Sequence, residues 1–363
     1  MSKAELYFGV MSGTSMDGID TVLVKFTKNK LELLDFNQQA YSDSFRKKLL
    51  SLCIPKKNDL EESYEFGITH AELTVKSIKK MLKRNNLNYQ SIKAIGYHGQ
   101  TIRHRPEKRF SIQIGNAHLL AEKTKINVIN DFRNRDMVDG GEGAPLAPAF
   151  HQAFFKSPKK NRLIINIGGI SNLTYIQQKK LVGFDCGPGN LLMDYWAQQK
   201  IKKNYDKNGS WAQGGDVNPQ LLNKLLSDKF FKKNPPKSTG REYFNARWLL
   251  NKLPLKIDPQ SVQRTLLELT VQSIFRSAQT HCKQIDEIYV CGGGSQNKFL
   301  MLRLSEQFNK PVQNTESIGI PSQEVESVAF AWLAKTCLEK QFNNSPQITG
   351  SKGLKVLGVI HHG

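Results

Sequence analysis

Phe8-Gly9-Val10-Met11-Ser12-Gly13-Thr14-Ser15-Met16-Asp17-Gly18-Ile19-Asp20, running on into Thr21-Val22-Leu23-Val24, is the stretch that decides the fold. It is an apolar run, a turn of glycine and hydroxyl residues, then a second apolar run, the pattern of a β-hairpin with an open tip. The same device returns at Ile164-Ile165-Asn166-Ile167-Gly168-Gly169-Ile170-Ser171-Asn172, running on into Leu173-Thr174-Tyr175-Ile176. Glycine lets a ligand approach the backbone, and N–H and hydroxyl groups can donate to phosphate oxygens. One such tip reads equally well as an ordinary tight hairpin. Two, far apart in one chain, predict two related halves that close on one nucleotide.

Around the first tip, residues 5–26 read as the hairpin and 32–42 as a third strand. Residues 59–84 carry a helical stripe of Leu60, Tyr64, Ile68, Ala71, Val75, Ile78, Met81 and Leu82. A short strand at 92–97 leads into His98-Gly99-Gln100-Thr101, and one at 126–129 into Asn130-Asp131-Phe132-Arg133. From Arg162 the order restarts with the second hairpin. A long helix over 260–282 is announced by Asp258-Pro259. A strand at 286–291 enters Gly292-Gly293-Gly294-Ser295, a helix begins near 297, and a last helix covers 324–340. Region 203–245 reads as polar turns around a short helix at 219–227. Strands alternating with helices predict an α/β protein. The expected domains are 1–130, joined by the C-terminal segment 324–363, and 131–323.

With 363 residues, two domains are the natural expectation. A mean hydropathy of -0.46 and no apolar run of membrane-spanning length argue for a soluble protein without a membrane partner. The N-terminus lacks a signal peptide's apolar stretch, so a cytoplasmic location is expected. The five cysteines are odd in number and widely spaced, with no C-x-x-C, which predicts neither disulfides nor a zinc knuckle. No structural metal is expected; His361-His362 reads as a solvated tail. Asp206-Lys207-Asn208-Gly209 starts like a calcium loop but lacks the later glutamate. The net charge of +20 sits in scattered doublets such as Lys47-Lys48, Lys79-Lys80 and Lys202-Lys203. None is interleaved with aromatics, so no specific nucleic-acid partner is expected. A homodimer is left open.

Walker, protein-kinase and dinucleotide signatures are all absent. Two strand-turn-strand tips and a late strand-Gly-Gly-Gly-helix element resemble the actin/hexokinase/Hsp70 superfamily. That resemblance implies a duplicated ribonuclease-H-like, two-domain fold with a central nucleotide cleft. Within it, Met11–Asp20, Gly96-Tyr97-His98-Gly99-Gln100-Thr101, Gly140–Pro148, Asn166–Asn172, Gly183-Phe184-Asp185-Cys186-Gly187-Pro188-Gly189-Asn190 and Cys291–Ser295 occur in order. The ordered set, spanning residues 9 to about 335, resembles the anhydro-N-acetylmuramic acid kinase family. The resemblance implies a kinase that takes 1,6-anhydro-N-acetylmuramic acid, ATP and water to N-acetylmuramic acid 6-phosphate and ADP. This serves the recycling of cell-wall sugars.

The resemblance also implies roles. Asp185 is the base that activates water; as a residue before Gly-Pro-Gly-Asn it also suits a turn or helix cap. ATP is expected at Gly13, Thr14, Ser15, Met16, Asp17, Gly18, Ile19 and Asp20, at Gly168, Gly169, Ser171 and Asn172, and at Gly292, Gly293 and Gly294. Asp17 and Asp20 are candidates to hold Mg²⁺ through its waters, because Met11 fills a slot where many superfamily members carry an acid. Asp20 reads equally as a surface residue of the hairpin. His98, Gln100, Thr101, Arg133 and Glu326 are expected at the sugar. The lactyl carboxylate calls for an arginine, for which Arg135, Arg103, Arg105 and the neighbouring His104 also compete, and pairing with Asp131 or Asp136 is the plain alternative. His98 suits a sugar hydroxyl or a structural role equally. Relatives usually have Thr at Cys186, Gln at Glu142 and an acid near Gln323. The competing readings are a superfamily sugar kinase acting on an ordinary hydroxyl, with Asp185 deprotonating it directly, and a non-catalytic ATP or sugar-sensing switch, which should carry an added DNA-binding segment if it regulates.

Overall fold

The computed structural model describes residues 4–13, 16–28, 30–178 and 180–363, so Thr14 and Ser15 of the first tip lie outside the described residues. Twelve strands form among them: β1 (Glu5–Ser12), β2 (Gly18–Thr27), β3 (Lys30–Ala40), β4 (Ile92–Arg105), β5 (Phe110–Ile114), β6 (Val128–Asn130), β7 (Arg162–Ile167), β8 (Ile170–Ile176), β9 (Leu181–Pro188), β10 (Glu287–Cys291), β11 (Val312–Asn314) and β12 (Val359–His361). The first sheet runs β3-β2-β1-β4-β6; β1 to β3 form an antiparallel meander, and β4 lies parallel to β1 and β6. The second runs β9-β8-β7-β10-β11, with β7 to β9 the meander and β10 parallel to β7 and β11. Order and direction are the same, so the ribonuclease-H-like sheet occurs twice. The first sheet adds β5 beside β4 and β12 beside β6, both antiparallel.

The chain divides into two compact units, Met1–Phe150 with Glu324–Gly363, and His151–Gln323. Segment 131–150, expected with the second domain, clusters with the first. Phe132 and Met137 are buried there, and the Thr349 hydroxyl donates to Asp136 Oδ1 at 2.8 Å, tying the segment to the C-terminal arm.

In the first unit helices cover both faces of the sheet. Phe8, Val10, Ile95 and Tyr97 share a core with Phe66, Val75, Ile78 and Met81 of helix Asp59–Arg84. The alternate residues Gly9 and Gly96 face helix Val325–Leu338. A Cβ on Gly9 would stand 1.9 Å from the Ser327 carbonyl oxygen, and one on Gly96 2.0 Å from that of Phe330. The helix therefore lies on bare backbone.

Helix Asp59–Arg84 buries its apolar stripe from Ala71 through Val75, Ile78, Met81 and Leu82, but not over its first turns. Leu60, Tyr64 and Ile68 are 70%, 71% and 44% exposed, while Ser63, Gly67, His70, Thr74 and Ser77 are buried. Hydrogen bonds engage these polar groups, with His70 Nε2 alone among their side-chain atoms left buried without a partner. His70 Nδ1 lies 2.6 Å from the Tyr97 hydroxyl, Ser77 donates to Thr21 Oγ1 at 3.0 Å, and Asn37 donates to Ser77 at 2.8 Å. β4 runs past its expected end at 97 through a bulge at His98-Gly99, where Gly99 has φ +71. His361 belongs to β12 rather than to a solvated tail, and its Nε2 lies 2.8 Å from Asn130 Oδ1.

In the second unit the core lies between the sheet and helix Pro259–His281, whose N-cap Asp258 accepts from the Ser261 N–H at 2.7 Å. Asp206 accepts the Trp211 and Ala212 N–H groups at 2.9 and 2.8 Å, so its carboxylate organises a turn. Among the described residues no helix is long and apolar enough to cross a membrane, and no disulfide joins the cysteines.

Candidate active site

The first tip is held from beneath by a buried polar hub. Ser12 Oγ lies 2.8 Å from the Gly18 carbonyl, 2.7 Å from the Tyr41 hydroxyl and 2.7 Å from Gln100 Oε1. Gln100 Nε2 donates to the Gly13 carbonyl at 3.1 Å, and the Met16 N–H donates to the same oxygen at 3.2 Å. Gln100, expected at the sugar, is thus a fully buried strut whose two amide ends brace the turn. Met16 and Ile19 send their side chains into the core, 2% and 0% exposed, which leaves their backbone to meet a ligand. Asp17 is exposed, and its carbonyl accepts the Tyr41 N–H at 2.9 Å. Ser12 and Tyr41, which brace the tip, were not among the expected site residues; Ser12 lay inside the quoted stretch, but nothing local marks Tyr41.

Asp20 sits on β2 opposite Met11 and accepts from Gln38 Nε2 at 3.0 Å. Burial first, then the neighbouring Asp17, Glu326 and Glu324 carboxylates, push its pKa up to about 7. Glu326, in the first turn of helix Val325–Leu338, therefore stands with the acids of the tip. Crowded carboxylates of this kind fit a divalent cation. Among the described residues no group of three ligating side chains could hold a metal directly. The donor set thus suits Mg²⁺ carried largely by phosphates and water, with one or two carboxylates behind.

This crowding has a pH consequence. The folded pKa of Asp20 lies above the unfolded value of 3.8, so its contribution to stability is full below that value and is lost as pH rises through about 7. Without Mg²⁺ the thermal midpoint is expected to fall between pH 6 and pH 8, and Asp20→Asn should flatten that fall. Mg²⁺ with nucleotide should restore more stability at pH 8 than at pH 6. A variant with the wild-type slope would remove Asp20 as the cause.

On β4, His98 Nδ1 lies 2.7 Å from the Gly99 carbonyl, so that nitrogen carries the proton. Its Nε2 accepts from Arg133 Nη2 at 3.0 Å. Burial, then the Arg133 charge, hold His98 well below its ordinary pKa, and the ring is neutral. Arg133 also donates to the Gly143 carbonyl at 2.8 Å. The rival basic residues are engaged elsewhere. Arg103 bridges Asp59 at 2.7 Å, Arg105 donates to the His104 carbonyl at 3.0 Å, and Arg135 donates to the Val356 carbonyl at 3.0 Å. His104 Nδ1 lies 3.1 Å from Ser111 Oγ, and burial followed by the Arg133 and Arg105 charges lowers its pKa to about 3. A cavity of about 290 Å³ opens beside His98, lined by Gln113, Asn130, Asp131 and Asn134 among others. Thr101 Oγ1 accepts from Gln113 Nε2 at 3.1 Å, behind that lining.

In the second unit the Gly168 and Gly169 carbonyls accept the N–H groups of Gly189, Asn190 and Leu191, so the second tip is locked to the start of helix Leu191–Ile201. Asn172 pairs in register with Asp185, Ser171 with Gly187, and Cys186 bulges between them. Ser171 Oγ donates to the Gly187 carbonyl at 3.1 Å and fixes the bulge. Bulges of this kind re-aim a side chain, here the Asp185 carboxylate. Asp185 is 6% exposed; its Oδ2 accepts the Thr239 N–H at 2.9 Å, and its own N–H donates to the Lys237 carbonyl at 3.2 Å. Cys186 is fully buried, with its pKa raised chiefly by burial and its thiol hydrogen-bonded to Ser277, so the exchange from Thr alters the support behind the base.

Gly292 has φ +80, and a Cβ there would stand 2.4 Å from Asn166 Oδ1. Gly293 is exposed, while Gly294 packs on Ile167. The side-chain oxygens of Asn166 and Asn172 are buried without a hydrogen-bond partner, the condition of acceptors built for a ligand. Lys237 and Thr239 were missed in the sequence because they lie in a polar stretch that reads as turns.

Comparison with known proteins points to one family. A family model described as Anhydro-N-acetylmuramic acid kinase matches residues 5–363. The chain is 46% identical over 360 residues to the anhydro-N-acetylmuramic acid kinase of Pseudomonas fluorescens (strain Pf0-1), covering 98% of this chain and 99% of that protein. It is 47% identical to the one of Pseudomonas syringae pv. tomato (98% and 98% covered) and 44% identical to the one of Nitrosospira multiformis (99% and 99%). Among solved structures, the activator of 2-hydroxyisocaproyl-CoA dehydratase from Clostridium difficile with bound ADPNP aligns over 94% of this chain and 99% of that one, at a TM-score of 0.47 and 11% identity, a loose likeness only. With a whole-length family match and relatives at this identity, the chain belongs to the anhydro-N-acetylmuramic acid kinase family.

Proposed function

We propose that this protein is a cytoplasmic kinase that opens the bridge of 1,6-anhydro-N-acetylmuramic acid with water and phosphorylates O6 from ATP. The products are N-acetylmuramic acid 6-phosphate and ADP, and the setting is the recycling of cell-wall sugar. The observation that carries the reading is Asp185, held at the bulge of β9 in a chain that matches the family from end to end. The carboxylate takes a proton from water, which attacks C1; O6 leaves the bridge and attacks the γ-phosphorus. The substrate has no free 6-hydroxyl, so deprotonating one cannot start the reaction. Positioned base catalysis of this kind is worth about 10²–10⁴-fold in rate.

The remaining residues bind and orient. Backbone N–H groups of the 13–20 tip, and Gly168, Gly169 and Asn172, hold phosphate oxygens, and the Gly292–Gly294 turn meets adenosine. Phosphoryl transfer depends chiefly on such positioning and on charge neutralisation. Asp17 and Asp20 would hold Mg²⁺ through its waters, and the bound ion would supply that neutralisation at the phosphates. In the first unit His98 and Arg133 face the sugar, with the guanidinium serving the lactyl carboxylate, while Thr101 and Glu326 complete the pocket. The overall positive charge suits two anionic substrates.

The test is ADP release with the anhydro sugar against common hexoses, run in ¹⁸O-water and quenched before the anomeric oxygen exchanges. Turnover is expected with the anhydro sugar, with the label at C1 and none in the transferred phosphoryl group. Label in phosphate would mean ATP hydrolysis, and turnover of ordinary hexoses alone would make this a conventional sugar kinase.

A further inference from the structure

Across the second sheet, Asn166 of β7 pairs in register with Asn172 of β8, and Asn172 pairs with Asp185 of β9. Their strand neighbours Ile165, Ile167, Leu173, Phe184 and Cys186 all belong to the core shared with helix Pro259–His281. Side chains alternate along a strand, so the two asparagines and the aspartate form a row on the opposite face. Neighbours in such a row have Cβ atoms about 5 Å apart, close enough for one water to touch both side chains. The oxygens of the two amides, Asn166 Oδ1 and Asn172 Oδ1, are buried without a hydrogen-bond partner. A buried acceptor left unmade costs free energy, so each is built for a donor that the chain does not supply. Asn166 Oδ1 is packed toward Gly292, where a Cβ would stand 2.4 Å from it. Asn172 Oδ1 belongs to the side chain next to the base. Phosphate oxygens at the neighbouring Gly168-Gly169 tip have no proton to give, so only the nitrogen end of Asn172 can serve them.

We propose that Asn172 holds the attacking water together with Asp185. The inference rests on the activity proposed above and gives its nucleophile a second contact. A water has two protons. One points at the Asp185 carboxylate, which takes it as the new bond to C1 forms and the bond from C1 to O6 breaks. The other points at Asn172 Oδ1, which accepts a hydrogen bond and takes no proton. With both protons held, a lone pair of the water oxygen is left to face C1. The Thr239 N–H on Asp185 Oδ2 does not displace the water, because an ionised carboxylate offers about four acceptor sites. O6 leaves the bridge and bonds to the γ-phosphorus, and ADP departs. The water oxygen ends as the C1 hydroxyl, whose remaining proton still points at Asn172. An amide suits this place because it accepts without charge and does not repel the carboxylate beside it.

The test replaces the amide by a matched pair of strand-forming side chains. Asn172→Thr keeps an oxygen that can accept, and Asn172→Val has nearly the same shape without one. Crystal structures of the full chain without sugar read the water itself. In wild type an ordered water is expected within about 3.2 Å of both Asn172 Oδ1 and the Asp185 carboxylate, and it should be missing in the Val variant. With anhydro sugar and ATP, Val should lower kcat by about 10–10²-fold, the cost of a misplaced nucleophile, and Thr should recover most of that loss. KM for ATP should be alike in Thr and Val, since both lack the amide nitrogen. No water between the two side chains in wild type overturns the proposal. So does a Mn²⁺ ion bound to Asn172 in crystals grown with Mn²⁺ and nucleotide, or a Thr variant no more active than Val. If Val fails to fold, Asn172→Ala against Asn172→Ser makes the same comparison. If the water is in place but wild type does not turn over the anhydro sugar, Asn172 still holds a water on Asp185 and the proposed activity is what fails.

Discussion

Asp185→Asn is expected to leave ATP binding intact and to lower kcat by about 10²–10⁴-fold, the share of rate that a positioned base supplies. The amide has the shape of the carboxylate, and its oxygen can still accept the Thr239 N–H that now lies 2.9 Å from Oδ2. What it cannot do is take a proton from water. The loss should therefore fall on kcat, with the nucleotide dissociation constant measured by calorimetry close to that of wild type. Full activity in this variant would hand the role of base to another carboxylate. Weakened ATP binding would place Asp185 at the phosphates.

Gly9→Ala is expected to cost about 3 kcal/mol or more, at or beyond the upper end of ordinary overpacking. The new Cβ would stand 1.9 Å from the Ser327 carbonyl oxygen and 2.9 Å from the Ala331 backbone nitrogen. Both belong to helix backbone, which cannot swing aside as a side chain can, so the helix must lift from the sheet. Gly96→Ala meets the Phe330 carbonyl at 2.0 Å and should behave alike. Gly353→Ala, whose nearest neighbour would be the Lys355 ammonium at 3.7 Å, serves as the control. The comparison is made by urea unfolding. Equal midpoints for Gly9→Ala and the control would show that the helix does not need the bare strand.

Most of the fold was legible because each meander announces itself locally. The paired tips, the order of strands and helices and the Asp258-Pro259 start of the long helix are all carried by neighbours in sequence. What escaped depends on partners far away. The buried face of helix Asp59–Arg84 is partly polar in sequence because His70, Ser77 and Ser63 find hydrogen bonds, the first two of them to strand residues. Periodicity of apolar residues therefore found the buried face from Ala71 onward and missed it in the first turns. β4 continues through His98 and Gln100, whose polarity looks like a loop until Arg133, Ser12 and Gly13 are placed beside them. The first boundary fell too early because segment 131–150 is claimed by the C-terminal arm, more than two hundred positions later in the chain. At the site, Asp185 and the glycine turns stood out as motifs, whereas Ser12, Tyr41, Lys237 and Thr239 act through contacts that no spacing rule encodes.

The first unit is assembled from two distant stretches of chain, and that sets the order in which a ribosome can complete the protein. Gly9 and Gly96 are made early, but the helix that lies on them, Val325–Leu338, emerges only after the whole of the second unit. At about 5–20 residues per second, the uncovered glycine strip waits on the order of ten seconds or more. During that interval the second unit, continuous from His151 to Gln323, can fold to completion while the first remains a half-dressed sheet. The nascent chain is then most vulnerable at its older end, and shielding by a chaperone would be wanted there rather than at the newest residues.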